Sequence, residues 1–190
     1  MLKGIIFDLD NTIITSNLDF AQIKCDLGIA RTDDIIEHLR SVKGEERINK
    51  EYIVHRHETR SVEVCELFPD FKKLLEKCKS AKMKTGILTR NSRPCTEYAL
   101  AKHQIAFDHV LTREDLTMQK PHPEGLLTIC QTWQVTKDEV IWVGDSQMDV
   151  QTGNNAGIKT YYFDHQGKSL ENLRYISFKN YAELVQLIEL

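Results

Sequence analysis

No segment of this chain approaches the roughly 20 consecutive apolar residues of a membrane span, so no membrane partner is expected. Positive charge is not in excess either. Twenty-five Lys and Arg stand against 28 Asp and Glu, a formal net charge of −3 without an extended basic run. Neither nucleic acid nor an anionic surface is indicated. Flexible linkers rich in glycine and serine are absent, as are internal repeats, so any second domain must be an insertion on short hinges. The five cysteines, Cys25, Cys65, Cys78, Cys95 and Cys130, are odd in number and contain no Cys-x-x-Cys pair. That spacing argues against a disulfide framework or a structural zinc. Reduced thiols in a cytoplasmic protein are expected, several of them packed as small hydrophobes. Met1-Leu2-Lys3-Gly4 leads straight into a strand-like run, so no secretory leader is expected.

What is present fits one domain with a modest insertion: 190 residues, about two-fifths of them hydrophobic. Leu2–Phe7 is a short apolar run ending in acids and reads as a buried strand. From Leu18 to about Glu66 the chain turns charged and helix-like, with helices predicted over Phe20–Leu27, Asp33–Lys43 and Glu45–Glu66. Asp19 and Thr32-Asp33-Asp34 offer N-terminal caps. Past Pro69, residues Phe71, Leu74, Leu75 and Cys78 share one helical face. Strands follow at Lys84–Thr89, near His109–Thr112, at Val140–Val143 and at Thr160–Phe163. Helices are predicted between and after them, at Arg93–Lys102, Pro123–Trp133, Asp149–Asn155 and Tyr181–Leu190. Strands alternating with helices imply a parallel sheet covered on both faces, whose ligands bind at the carboxyl ends of the strands.

Polar residues gather at those ends. The first strand runs into Asp8-Leu9-Asp10-Asn11-Thr12, and alternation places Asp8 and Asp10 on one side. Two close carboxylates repel unless a cation or a proton intervenes. A hard divalent cation such as magnesium is one solution; an acid held protonated for general acid catalysis is another. Thr89 ends the next strand, Asp145 follows Val143-Gly144, and Asp149 comes one helical turn later. Lys120 precedes Pro121 in a loop entering a helix. Acids with magnesium hold a cation; lysine, hydroxyl and magnesium hold a tetrahedral anion. The combination suits phosphoryl transfer, in which positioning and charge neutralisation do most of the catalysis.

The sequence resembles the haloacid dehalogenase superfamily, and within it phosphatases with a small helical cap of the phosphoglycolate-phosphatase-like kind. Its motifs stand in order: Ile5-Ile6-Phe7-Asp8-Leu9-Asp10-Asn11-Thr12, then Ile87-Leu88-Thr89, Lys120-Pro121, and Val143-Gly144-Asp145-Ser146-Gln147-Met148-Asp149. The resemblance implies a nucleophilic Asp8 that forms an aspartyl-phosphate and an Asp10 that protonates the leaving oxygen and then activates water. It implies magnesium on Asp8, Asp145 and the backbone carbonyl of Asp10. Asp149 supports that site or orients Lys120. Thr89 binds the phosphoryl group, and Lys120 balances its charge. Asn11 stands where the commonest pattern has glycine, a place asparagine tolerates. Asp10 argues against carbon–halogen chemistry, since dehalogenase members usually lack it.

Arg90 and Asn91, just after Thr89, are placed to bind the phosphate or to cap the next helix. His55-Arg56-His57-Glu58 lacks metalloprotease spacing and reads as a solvated cap surface, although Arg56, His57 and Arg60 are candidate substrate readers. Trp133 and Trp142 read as core aromatics. The expected architecture is a Rossmann-like three-layer α/β core from residues 1–15 and 67–190, with a helical cap in 16–66. The expected activity is magnesium-dependent hydrolysis of a small phosphorylated metabolite. The alternatives are a sugar phosphomutase and a catalytically idle phosphate-binding module on the same fold.

Overall fold

Gly4–Phe7 forms strand β1, and all of its residues are buried. In the computed structural model, which describes residues 1–165, 167 and 169–190, β1 lies inside a six-stranded sheet. The other strands are β2 (Lys84–Leu88), β3 (His109–Leu111), β4 (Val140–Gly144), β5 (Lys159–Phe163) and β6 (Ile176–Phe178), in the order β3-β2-β1-β4-β5-β6. Every neighbouring pair is parallel.

The alternation of side chains across the sheet divides the core in two. On one face Ile5 and Phe7 pack with Phe71, Leu74 and Cys78 of helix α4 (Phe71–Ser80), Cys95 and Ala99 of α5 (Arg93–His103), and Tyr181 and Leu184 of α8 (Tyr181–Leu187). On the other, Ile6 and Trp142 pack with Leu126, Ile129 and Trp133 of α6 (Glu124–Trp133) and Ala156 of α7 (Gln147–Ala156). Both tryptophans are core residues, as their sequence context predicts. The result is a three-layer, Rossmann-like α/β core.

β1 is the point where strand order reverses, and the crevice for ligands in such sheets opens above it. Phe7 is level with Ile87 of β2 and Val143 of β4. Asp8, Thr89 and Asp145 therefore emerge within one residue of the same height.

Three helices stand between β1 and α4: α1 (Phe20–Leu27), α2 (Ile35–Ser41) and α3 (Gly44–Val64). Asp19 caps α1 by accepting from the Gln22 amide, and Asp34 caps α2 by accepting from Ile36 and Glu37. They share a buried cluster of their own, built on Ile23, Leu27, Ile35, Ile36, Leu39 and Val54. The chain enters and leaves this unit through adjacent backbones. The Thr15 amide donates to the Glu66 carbonyl at 2.8 Å, and the Phe68 amide to the Ile13 carbonyl at 3.0 Å.

Three differences from the sequence reading have local causes. β6 was not expected: it is only three residues long and exists by pairing with β5. α2 begins at Ile35 because Asp34 is taken up as its cap. α7 begins two residues early, at Gln147, because Ser146 and Asp149 form a reciprocal capping box.

Candidate active site

Asp8 extends β1 by one residue, its amide donating to the Val143 carbonyl at 2.8 Å. The backbone then turns sharply. The Leu9 carbonyl accepts from the amides of Thr12, Ile13 and Ile14, and Asn11 sits at φ 53°, in the left-handed region that asparagine adopts more readily than most residues. Its side-chain oxygen accepts from the Ser16 amide at 2.9 Å, which fixes the turn.

The buried ammonium of Lys120 lies between two buried acids, donating to Asp8 Oδ1 at 2.6 Å and Asp149 Oδ1 at 2.7 Å. Asp149 Oδ2 accepts from the Ser146 amide and hydroxyl, at 3.1 and 2.5 Å. Both oxygens of Asp149 are thus engaged, one in its helix cap and one on Lys120. Asp8, Asp145 and Asp149 offer carboxylate oxygens that all lie within 4.8 Å of one another. The Asp10 carboxylate is outside that trio but lines the same cavity.

Four carboxylates therefore face one cation. Burial raises the Asp8 pKa well above the ordinary carboxylate range; Lys120 opposes the shift, and Asp149 and Asp145 add to it. Burial, reinforced by Asp149 and opposed by Lys120, pushes Asp145 up to about 7. Burial raises Asp10 to about 6. Asn91 and Ser16 pull Asp10 back down, and among the described residues Asn91 Nδ2 and Asp10 Oδ1 are both buried without a well-formed hydrogen bond. Burial disfavours the charged form of Lys120, but Asp149 and Asp8 more than offset it and raise its pKa. A cluster with this excess of buried negative charge takes up either protons or a cation.

Thr89 is buried at the end of β2, and its hydroxyl oxygen accepts from the Asn91 amide at 3.1 Å. Its proton is left to donate elsewhere. Arg90 lines the cavity, but its guanidinium reaches across to both oxygens of Asp34, at 2.6 Å, and ties the core to the head of α2. The sequence-predicted residues Asp8, Asp10, Thr89, Arg90, Asn91, Lys120 and Asp145 all line one cavity, with Asp149 directly behind Lys120.

The proposed cap readers are placed otherwise. His57 Nε2 lies 2.8 Å from Asp26, Arg56 lies 3.9 Å from the same acid, and Arg60 is exposed. None of them lines the cavity. The cause is helical phase: Val54, Glu58, Ser61 and Val62 form the buried face of α3; Arg56 and Arg60 fall off it, and His57 stands at its edge, where Asp26 takes its ring. Sequence reasoning missed Glu58, which is buried, accepts from the Ser92 amide and hydroxyl, and pairs with Arg113. An acid in phase with Val54 and Val62 was the available signal. His55 Nδ1, Glu58 and Cys95 Sγ also come within 4.8 Å of one another, but Glu58 is already engaged by its core partners.

One glycine has a direct bearing on this geometry. A Cβ on Gly144 would stand 2.3 Å from Asp149 Cβ and 2.5 Å from its Cγ. Gly144→Ala is therefore expected to push Asp149 off Lys120. If the site is the catalytic centre, turnover should fall by about tenfold or more, since misplacement by 1 Å can cost 100-fold. Steady-state kinetics alongside a melting curve checks this; wild-type turnover in a folded variant would count against it.

Comparisons with known proteins agree with the geometry. A family model for haloacid dehalogenase-like hydrolases matches residues 27–163. A haloacid dehalogenase-like hydrolase domain-containing protein of Arabidopsis thaliana is 30% identical over 183 residues, covering 88% of this chain and 73% of the relative. The pyrophosphatase PpaX of Bacillus cereus (strain Q1) is 29% identical over 178 residues, covering 84% of this chain and 82% of its own. The crystal structure of the hydrolase YfnB of Bacillus subtilis, bound to magnesium, shares the fold with a TM-score of 0.72 at 17% identity, over 100% of this chain and 99% of that one. The chain belongs to the haloacid dehalogenase-like hydrolases.

Proposed function

We propose that this hydrolase is a magnesium-dependent phosphatase that cleaves a small phosphomonoester through an aspartyl-phosphate on Asp8. The observation that carries this reading is the buried Asp8 at the end of the central strand, with Asp10 lining the same cavity and the Lys120 ammonium 2.6 Å away. A pyrophosphatase relative supports a phosphoryl substrate.

Asp8 would attack phosphorus as the P–O bond to the alcohol breaks, and Asp10 would give its proton to the departing oxygen. Lys120, the Thr89 hydroxyl and the partnerless Asn91 amide would hold the phosphoryl oxygens. Asp10, now a carboxylate, would take a proton from the water that attacks phosphorus, breaking the Asp8–phosphate bond and releasing inorganic phosphate. Asp149, held by Ser146, positions Lys120.

The donor set fits magnesium. Asp8, Asp145 and Asp149 present hard oxygens only, in a pocket with an excess of buried negative charge. Asp8 and Asp145 would hold the ion with the Asp10 carbonyl, as both Asp149 oxygens are engaged. Bound magnesium would supply charge neutralisation between the substrate phosphate and the carboxylates.

Turnover of nitrophenyl phosphate by the purified chain tests the reading and separates an enzyme from an idle binding module. Chelation should lower it by about 100-fold or more, and magnesium should restore it. Calcium should restore little, because its larger, looser shell would misplace the nucleophile. Full activity in chelator, or equal activity with calcium, would remove the metal from the reading.

A further inference from the structure

The cavity extends beyond its phosphate end to the inserted helices. The whole space is about 480 Å3, within the range of roughly 300–1,000 Å3 typical of small-ligand pockets. Its cap side is apolar, with walls made by Phe20, Ile23, Ile35, Ile36 and Val54; Met148 faces them from the core.

Among the described residues three cations line this space; two are paired with carboxylates and the third turns to a backbone carbonyl. Lys24 Nζ donates to the Arg31 carbonyl at 2.7 Å. Arg90 holds both oxygens of Asp34 and reaches Met148 Sδ at 3.2 Å. Lys120 holds Asp8 and Asp149. The charged groups that α2 and α3 add to the cavity are carboxylates, Asp34 and Glu58. A second phosphate on the substrate would meet apolar surface and charges that are already paired, Asp34 with Arg90 and Glu58 with Arg113, with Lys24 turned to a backbone carbonyl. Turning Arg90 toward it would take the counter-ion from Asp34, and an unpaired charge in such a place is costly.

We infer that the physiological leaving group is an apolar alcohol, aryl or medium-chain alkyl, and that the substrate carries a single phosphate. This rests on the phosphatase reading above. It separates the chain from its pyrophosphatase relative, and it disfavours a mutase cycling through a sugar bisphosphate.

The test uses the full chain with excess magnesium and two alkyl phosphates whose leaving groups differ in length but little in chemistry. Hexyl phosphate should exceed ethyl phosphate in kcat/KM by at least about tenfold, given the hydrophobic worth of four buried methylenes. Pyrophosphate and fructose 1,6-bisphosphate should fall at least about tenfold below hexyl phosphate. Phe20 is 58% exposed, so its replacement spares the fold. Phe20→Asp should shrink the hexyl-to-ethyl ratio by about threefold or more. A ratio near one, or preference for either doubly phosphorylated compound, overturns the inference and leaves the phosphatase reading standing. If no compound is hydrolysed, that reading fails instead. Calorimetry with Asp8→Asn then decides the inference: 1-naphthyl phosphate should bind at least about tenfold tighter than pyrophosphate, and the reverse order would overturn it.

Discussion

Asp10→Asn is expected to split the reaction according to leaving group. An alkyl phosphate expels a strongly basic alkoxide and needs a proton as the P–O bond breaks. A nitrophenyl phosphate expels a stable phenolate and needs that proton far less. The second half, attack of water on the aspartyl-phosphate, needs a base for either substrate. The variant should therefore release about one phenolate per site in a burst and then turn over slowly, the signature of covalent catalysis with a stalled second step. On an alkyl substrate the loss should be about 10²–10⁴-fold with no burst, the usual range for a general acid or base. Asp10 would suit both duties: it lines the same cavity as Asp8, and its Oδ1 has no hydrogen-bond partner among the described residues. Rapid quench resolves the burst, mass spectrometry of the Asp8 peptide detects the trapped phosphate, and magnesium titration verifies the metal site. Equal losses on both substrates without a burst, in a variant that binds magnesium normally, would refute this division of labour.

Asp8→Asn is expected to remove turnover altogether, on the order of 10⁴-fold or more, the scale of losing a covalent nucleophile. The amide occupies nearly the same volume but cannot form the acyl phosphate. The fold should persist, because Lys120 keeps Asp149 at 2.7 Å and β1 keeps its ladder to β2 and β4. Phenolate release by a folded variant, judged by circular dichroism, is the measurement. Turnover near that of the wild type would take Asp8 out of the mechanism.

The parts of this site that were legible in the sequence were of two kinds, motif residues such as Asp10, Lys120 and Asp149, and residues at strand ends. Asp8, Thr89 and Asp145 each follow an apolar run, so a strand reading alone places them at the mouth of a parallel sheet. Helices α1 and α2 were legible from local capping signals, Asp19 before the first and the Thr32-Asp33-Asp34 run before the second. What could not be read were pairings made across the fold. Arg90 meets Asp34 over 56 positions, Glu58 meets Arg113 over 55, and Arg40 reaches the Leu116 carbonyl over 76. No spacing rule carries that information. Arg56, His57 and Arg60 stand out by charge in the sequence, whereas the phase of α3, which brings Arg56 and His57 to Asp26, is marked there only by the spacing of Val54, Glu58 and Val62.

The adjoining backbones at Thr15–Glu66 and Ile13–Phe68 make the three cap helices a cassette. The core already holds together the two points that this unit connects, and it grips the unit further through Glu58–Arg113 and Asp34–Arg90. Lengthening such a connection costs the core only about 0.6 kcal/mol per doubling, and the cassette brings its own buried cluster. On the phosphatase reading, chemistry and selectivity would therefore reside on different segments of this chain. On that reading, exchanging some fifty residues between two hydrogen-bonded anchor points, with the pairs across the boundary kept, would change which alcohol is accommodated, while Asp8 and Asp10 keep their places at the strand end.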